Sequence, residues 1–363
     1  MENFIPFDDN RPFSGLKVLD LSSVLAGPLT ASFFAELGAD VVKIENKLTG
    51  GDATRQWKLA SEDAESPVSA YYFSANYGKK IKLLDLNLLE ARQEVEILMA
   101  QSDIIVSNFQ KKVAEKLNLL PDEIINKYPG VIMAQLSAYD FDDPRPGYDL
   151  VMQGDTGWIS MNGTDIDHLA KLPVAIIDIF AAHQMKEAIL IALYKKIRTG
   201  VGSVIHVSLY KSAISGLANQ ASNYLMQHHI PKPLGTLHPN IAPYGDIFTS
   251  KDKIKFLLAV GSDAQFKKLW FTLKLPPEKY HTFDDNSKRL NARGNLQAIL
   301  QHVFGTLHFE SIKGILEPNN VPYCCIKDLN GVFEDSLAKE MIKSQTIENK
   351  TGQSVSSIAF KIK

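Results

Sequence analysis

The sequence predicts an α/β protein in which a doubly wound, Rossmann-like parallel sheet is joined to a smaller α+β domain. Three observations predict it. Short apolar runs alternate with helical periodicities from Lys17 to Leu209, which is the pattern of βαβ units closing a parallel sheet. A stretch marked by prolines and a glycine, His228 to Gly235, then reads as a linker. Beyond it the order changes to a hairpin, several helices and a final strand.

The elements follow in order. Lys17 to Ser22 reads as a buried strand, Pro28 to Leu37 as a helix with proline in its first turn, and Ala39 to Glu45 as a second strand after the stop at Gly38. Leu88 to Gln101 is an amphipathic helix whose wet face carries Glu90, Arg92, Glu94 and Glu96. Asp103 to Ser107 is a strand, Pro121 to Tyr128 a helix opened by proline, and Val131 to Ser137 another strand. Ligands in such sheets sit outside the carboxyl ends of the strands, so the loops beginning at Ser22, Glu45, Ser107 and Ser137 converge on one crevice.

The run from Val174 to Gly200 is the centre of the chain. Ala181, Met185, Ala188, Ile189 and Ala192 recur at helical spacing, other apolar residues fill the remaining faces, and Gly200 supplies a left-handed stop. The expectation is a core helix packed nearly all round. Asp178 admits two readings. It is a capping carboxylate for the first turn, or an ionised, poorly hydrated nucleophile among Val174, Ile176, Ile177, Ile179 and Phe180. His183 lies five residues on, roughly 140° around the helix, and does not share its face.

Ser203 to Leu209 is read as a further strand and Lys211 to Gln227 as one helix. The second domain then holds a hairpin, Asp246 to Thr249 with Ile254 to Val260. A helix opened by Ser262 and Gln265 as a capping box follows. Helices near Leu296 to Val303 and Phe309 to Leu316 lead to a strand at Val321 to Ile326. The expected division is a large domain over 1–228, a small one over 235–328, and a return to the first over 329–363.

Composition bounds the function. The chain has 363 residues, 45% of them hydrophobic and 22% charged, which is ordinary for a globular protein able to bury two cores. With 39 Lys and Arg against 41 Asp and Glu, the net charge of −2 gives no global attraction for nucleic acid or an anionic membrane. The two cysteines, Cys324 and Cys325, are adjacent, which excludes a disulfide framework and points to a reducing compartment. The start carries no basic segment followed by an apolar one, and no apolar run reaches spanning length, so the expected location is the cytoplasm. His228 and His229 have no companions at ligand spacing, so no metal is expected. The first turn, Ser-Ser-Val-Leu-Ala-Gly-Pro, is not the glycine fingerprint of a dinucleotide site, and no P-loop pattern occurs.

Eight blocks stand out in order along the chain: Gly15-Leu-Lys-Val-Leu-Asp-Leu-Ser-Ser-Val-Leu-Ala-Gly-Pro28, Leu37 to Glu45, Gly51 to Trp57, Asn76-Tyr-Gly-Lys-Lys80 with Asp85-Leu86, Asn108-Phe109, Arg145-Pro-Gly-Tyr-Asp-Leu150, Arg198 to Gly202 and His238 to Gly245. Together, over nearly the whole chain, they resemble the class III CoA-transferase family, of CaiB/BaiF type. The resemblance implies a transferase that moves CoA from an acyl-CoA to a small carboxylic acid. Asp178 matches the aspartate that attacks the thioester, and both covalent intermediates require a site that excludes water. It implies CoA contacts at Val24, Leu25 and Ala26 of the first turn, at Lys47, at Leu84 to Asn87, at Asn108, Phe109 and Gln110, and at Lys116, where the family carries arginine. It also implies a homodimer of interlocked ring-like subunits.

Two departures from the family qualify this. Asn46 stands where the formyl-CoA enzymes carry a phosphate-binding arginine, and Leu237 to Gly245 lacks their run of glycines. Tyr148 stands where the related racemase has histidine. A free tyrosine side chain, with a pKa of about 10, is a poor base at neutral pH but a good hydrogen-bond donor to an oxyanion, which favours transfer over racemisation. The rival readings are an acyl-CoA racemase or isomerase of the same family, and a non-catalytic acyl-CoA binder with Asp178 as a helix cap.

Overall fold

The computed structural model describes residues 8–362. They form two compact units, one of residues up to Trp158, Lys171–His228 and the residues from Leu337, the other of Ile159–Ala170 and His229–Ser336.

The first unit is built on six parallel strands, β1 (Lys17–Asp20), β2 (Asp40–Asn46), β3 (Lys80–Leu84), β4 (Ile104–Ser107), β5 (Ile132–Ser137) and β6 (Ser203–Ser208), in the order β3-β2-β1-β4-β5-β6. Alternation along each strand feeds two cores. Val18, Ile104 and Ile132 face one, with Phe34 of helix α1 (Ala26–Glu36), while Leu19, Ile105 and Met133 face the other. The short helix α2 (Ala70–Ala75) precedes β3. The second core is completed by Val95 and Met99 of α3 (Leu89–Gln101) and Ile124 of α5 (Pro121–Lys127); α4 (Lys111–Leu117) lies between these helices in the chain. The first core takes Met152 from α6 (Asp149–Asp155) and Ile177, Ala181, Met185 and Ile189 from α7 (Ile176–Thr199).

Gly200 ends α7 at φ 72°, as its sequence position requires. The helix is not packed all round, however. Ile191, Tyr194 and Ile197 lie exposed on it, because the sheet and α1 can cover only one broad face of a straight cylinder. The expected helix over Lys211 to Gln227 is two helices, α8 (Leu209–Ser215) and α9 (Ala218–Gln227). They part at Gly216, where a Cβ would stand 2.7 Å from the ring of Phe180, and at Ala218, which turns left-handed at φ 46°.

The second unit carries the antiparallel sheet β7 (Tyr244–Thr249), β8 (Lys255–Ala259) and β9 (Tyr323–Cys325), in that order. Its helices are α10 (Asp263–Thr272), α11 (Asn286–Asn291), α12 (Arg293–Phe304) and α13 (Phe309–Leu316). Phe248, Phe256, Phe266, Trp270 and Phe304 fill its core. Ser262 caps α10 as its spacing predicts, accepting the Gln265 N–H at 3.2 Å.

The expected boundaries differ from this division at two places. Residues 159–170 belong with the second unit; a bridge between Gly163 and Leu169 closes the segment on itself, and the Gly235 N–H donated to the Gly163 carbonyl at 2.8 Å ties it to that unit. Residues 329–336 also stay with it, and the return to the first unit begins at Leu337. That return is a hairpin, β10 (Ile342–Ile347) and β11 (Lys350–Val355), turning at Glu348 and Asn349, both with positive φ, and packing Gly352 against Phe73 of α2. Among the described residues no helix is long and apolar enough to cross a membrane.

Candidate active site

The strand order reverses between β1 and β4, so the crevice at their carboxyl ends is where this topology receives a ligand. The two loops are tied there. Ser23 donates its backbone N–H to Asn108 Oδ1 at 3.1 Å, and Asn108 Nδ2 donates to the Ser23 carbonyl at 2.9 Å.

Val24 adopts φ 73°, a conformation that costs a β-branched residue about 1–2 kcal/mol. Its backbone N–H is held by Asp52, 3.1 Å away at Oδ2. Asp52 also caps the turn at Thr54 and pairs with Lys43 at 3.1 Å, and Lys43 Nζ donates to the Ser22 carbonyl at 2.6 Å. Lys79 Nζ bonds Asp20 and the Pro28 carbonyl, both at 2.8 Å, and Ser22 hydroxyl donates to Asp20. Burial alone would raise the Asp20 carboxyl, but Lys79, Lys43 and these hydrogen bonds hold it below its usual range. Burial lowers the Lys79 ammonium to about 8. Beside this cluster Arg55 pairs with Glu45 at 2.6 Å, and Tyr72 hydroxyl donates to Glu45 at 2.5 Å. The first turn therefore rests on a buried, fully paired ionic floor.

Two cavities open above it. One, of about 450 Å³, is lined by Ser23, Val24, Asn108, Phe109, Gln110 and Tyr148 among others. The second, of about 420 Å³, shares Ser23 and Phe109 with the first and adds Asn46, Asp52, Asn87 and Lys116.

Asp178 is the third residue of α7, whose cap position is Ala175, and its side chain makes no capping bond. The capping reading is thereby corrected. Asp149, the first residue of α6, takes that role by accepting the Ile177 N–H at 2.7 Å. Asp149 is steadied by Gln153 Nε2 at 2.5 Å, and Gln153 Oε1 accepts the Leu172 N–H at 2.9 Å, so the starts of α6 and α7 are clamped together. Asp178 is left 9% exposed with no hydrogen-bond or ion-pair partner among the described residues. Burial, and then the charge of Asp149, push its carboxyl up to about 7. The helix N-terminus pulls the other way by at most about 2 kcal/mol, so desolvation and the neighbouring carboxylate win. Tyr71 shares this field. Its ring meets Trp57 at 5.1 Å, and burial with the charges of Asp178, Asp149 and Asp52 raises its hydroxyl to about 12.

Residues 13–363 match CoA-transferase family III. The chain belongs to that family. Among its relatives, a succinate–glutarate CoA-transferase of Agrobacterium fabrum is 32% identical over 334 residues, covering 89% of this chain and 82% of that protein. A human succinyl-CoA:glutarate CoA-transferase is 30% identical, covering 90% of this chain and 74% of the relative. A solved CaiB/BaiF family protein from Brucella suis superposes with a TM-score of 0.82 at 32% identity, covering 97% of this chain and 93% of that one.

In this family III chain the residues expected from sequence do not all gather. Val24, Asn108, Phe109, Gln110 and Tyr148 line the first cavity, and Asn87 and Lys116 the second. Leu25 and Ala26 are buried at the start of α1, and Lys47 opens an exposed turn capped by Asn46. Leu84 ends β3 and packs partly into the second core. None of these four lines either cavity. Nor does Asp178; its link to the first cavity is indirect, since Tyr148 lines that cavity, Asp149 follows Tyr148 in the chain, and Asp149 accepts the N–H of Ile177, the residue before Asp178. Sequence reading missed Asp149, Asp52, Tyr71 and Trp57. The blocks around them were visible, but nothing local showed that they face one another.

Cys324 and Cys325 are free, and among the described residues no cluster of His, Cys, Asp or Glu has a metal-holding arrangement.

Proposed function

We propose that this family III CoA-transferase moves CoA from an acyl-CoA to a small carboxylic acid through a covalent intermediate on Asp178. One observation carries the reading: a buried carboxylate without partners, whose proton is held to about 7, at the start of a helix clamped by Asp149. A carboxylate stripped of hydrogen-bond donors is a strong nucleophile for its basicity.

An Asp178 oxygen attacks the thioester carbonyl, the C–S bond breaks, and CoA leaves as thiolate from a mixed anhydride. The thiolate attacks the aspartyl carbonyl, displaces the donor's carboxylate and leaves an aspartyl-CoA thioester. The acceptor carboxylate attacks that carbonyl and expels the thiolate again. Attack of the thiolate on the acceptor's acyl carbon then regenerates Asp178. Each step exchanges one acyl–heteroatom bond for another, so no redox partner enters. Tyr148 donates a hydrogen bond to the oxyanion formed at these carbonyls. The CoA chain runs along Val24, Asn108, Phe109 and Gln110 toward Asn87 and Lys116. The succinate and glutarate relatives support a dicarboxylic acid as donor or acceptor.

The experiment is chemical. After incubation with succinyl-CoA, treatment with hydroxylamine or borohydride should modify the peptide holding Asp178, read by mass spectrometry. An unmodified peptide with succinyl-CoA still bound would overturn the covalent reading.

The same reading carries a homodimer in the cytoplasm. The exposed Ile191, Tyr194 and Ile197 of α7 support it as a surface that a second copy covers. Sedimentation at micromolar concentration should show twice the 40.3 kDa chain mass.

A further inference from the structure

The hairpin of β10 and β11 reaches the floor of the first turn through one side chain. Glu348 and Asn349 make its two-residue turn, with φ 47° and 65°. Asparagine and glycine adopt that left-handed conformation more readily than a long side chain does. The Glu348 carboxylate serves a contact outside the hairpin: its Oε1 lies 3.0 Å from Nη1 of Arg55, in the loop after β2. The hairpin is seated for this. Ile347, just before the turn, is buried with Val68, Tyr72 and Phe73, and Gln345 Oε1 accepts the Gly78 N–H at 3.0 Å.

Arg55 is 2% exposed, and each arm of its guanidinium is used. Nε donates to Glu45 Oε2 at 2.6 Å, Nη2 to the Tyr72 hydroxyl at 3.1 Å, and Nη1 meets Glu348. Glu45 Oε2 carries a second bond, from the Asp52 N–H at 3.1 Å, and Asp52 is the residue that grips the Val24 N–H. Space here is tight. At Gly51, with φ 106°, a Cβ would stand 2.5 Å from Glu45 Oε2 and 2.6 Å from Arg55 Nε. A guanidinium that loses its Nη1 acceptor in this setting leaves buried donors unpaired. The other carboxylate it touches is Glu45, and turning further onto that oxygen draws it from the Asp52 N–H. Glu45, Gly51 and Asp52 line the second cavity, and Val24 lines the first.

We propose that Glu348 is a positioning residue for acyl-CoA, acting from the C-terminal hairpin through Arg55, Glu45 and Asp52 on the turn at Val24. The assignment rests on the CoA-transferase reading. Glu348 lines neither cavity; its part is to fix how Arg55 meets Glu45. Its side chain is 42% exposed, so solvent screens the pair and keeps the effect modest.

Steady-state transfer from succinyl-CoA to glutarate, measured on the whole chain, tests this. Glu348→Gln and Glu348→Asn should each raise KM for succinyl-CoA about three- to fivefold, the loss that a screened ion pair allows. Meanwhile kcat and KM for glutarate should stay within about twofold of native, because the hairpin acts only on the turn that receives acyl-CoA. Asparagine suits the left-handed turn, so Glu348→Asn should melt no lower than the native chain. Lys350→Gln, exposed on the same hairpin, should leave all three constants unchanged. An unchanged KM for succinyl-CoA with a lowered melting temperature would make Glu348 a fastening of the hairpin alone and overturn the assignment. An equal change in kcat or in KM for glutarate, or an equal rise in Lys350→Gln, would overturn it too. Absence of any transfer by the native chain would instead strike the CoA-transferase reading, and the assignment with it.

Discussion

Asp149 accepts the backbone N–H of Ile177 at 2.7 Å, and so does for helix α7 what its own Asp178 does not. The consequence is a division of labour between two carboxylates. One is spent on hydrogen bonds from Ile177 and Gln153, and the other is kept dry and unpartnered. Because the first lies close enough to raise the second, position and protonation are coupled.

That coupling predicts the pH dependence of acylation. On the proposed covalent route the attacking group is the ionised form of Asp178, whose carboxyl is raised to about 7. Single-turnover transfer from succinyl-CoA should rise with pH to a plateau above neutrality. Asp149→Asn keeps an acceptor for Ile177 but removes the charge, so the rising limb should move to lower pH. Asp149→Ala should in addition cost about 1–2 kcal/mol of stability. A limb that stays put in Asp149→Asn would refute the coupling.

Asp178 also predicts a stability difference. A carboxyl raised in the folded state binds its proton more tightly folded than unfolded, so its contribution is fully present below 3.8 and is lost as pH rises toward 7. Asp178→Asn cannot ionise. Its melting temperature minus that of the native protein should therefore grow between pH 4 and 7 and then level off, with an upper limit of about 4 kcal/mol. The same variant should retain CoA affinity while losing transfer. A difference flat in pH would show that the side chain is well solvated.

The grip of Asp52 on Val24 predicts an effect on binding. Asp52→Ala frees the Val24 N–H and leaves Lys43 without one of its two carboxylates, so the first turn should lose its shape. KM for acyl-CoA should rise more than kcat falls. Val24→Gly removes the left-handed strain at φ 73° and should raise stability by about 1 kcal/mol, seen as a higher melting temperature. Were Val24→Gly to destabilise, side-chain packing would outweigh the backbone cost.

Asp20 predicts the largest loss. It neutralises Lys79 at 2.8 Å and Lys43 at 3.8 Å, all three fully buried. Asp20→Ala leaves two cations facing each other in the interior and should cost on the order of 3–5 kcal/mol by denaturant unfolding. Since the Asp20 carboxyl is held below its unfolded value, this contribution is present above about pH 4 and is lost as pH falls further. A loss under 1 kcal/mol would mean that water reaches the floor.

Much of the fold was legible because it is written in short-range chemistry. Short apolar runs placed β1, β4 and β5, and Gly38 and Gly200 stopped their helices where a left-handed residue is needed. Where the pattern was ambiguous the reading failed. Lys80–Leu84 alternates lysine with apolar residues and lies at the sheet edge, where half its side chains meet solvent, so its strand was not anticipated. Gly216 reads as an ordinary helical glycine until the ring of Phe180 is seen against it.

Residue order along the chain already specifies the alternation of strands and helices that makes a doubly wound sheet, the crevice at its strand ends, and the family to which these blocks belong. Tertiary structure alone decided what Asp178 is. The cap that frees it comes from Asp149, 28 positions before the Ile177 whose N–H it accepts, and the hold on Val24 comes from Asp52, 28 positions later. Hydrogen bonding and desolvation depend on which groups arrive within a few ångströms, and that distance is set by chain packing, to which neighbours along the sequence contribute only part.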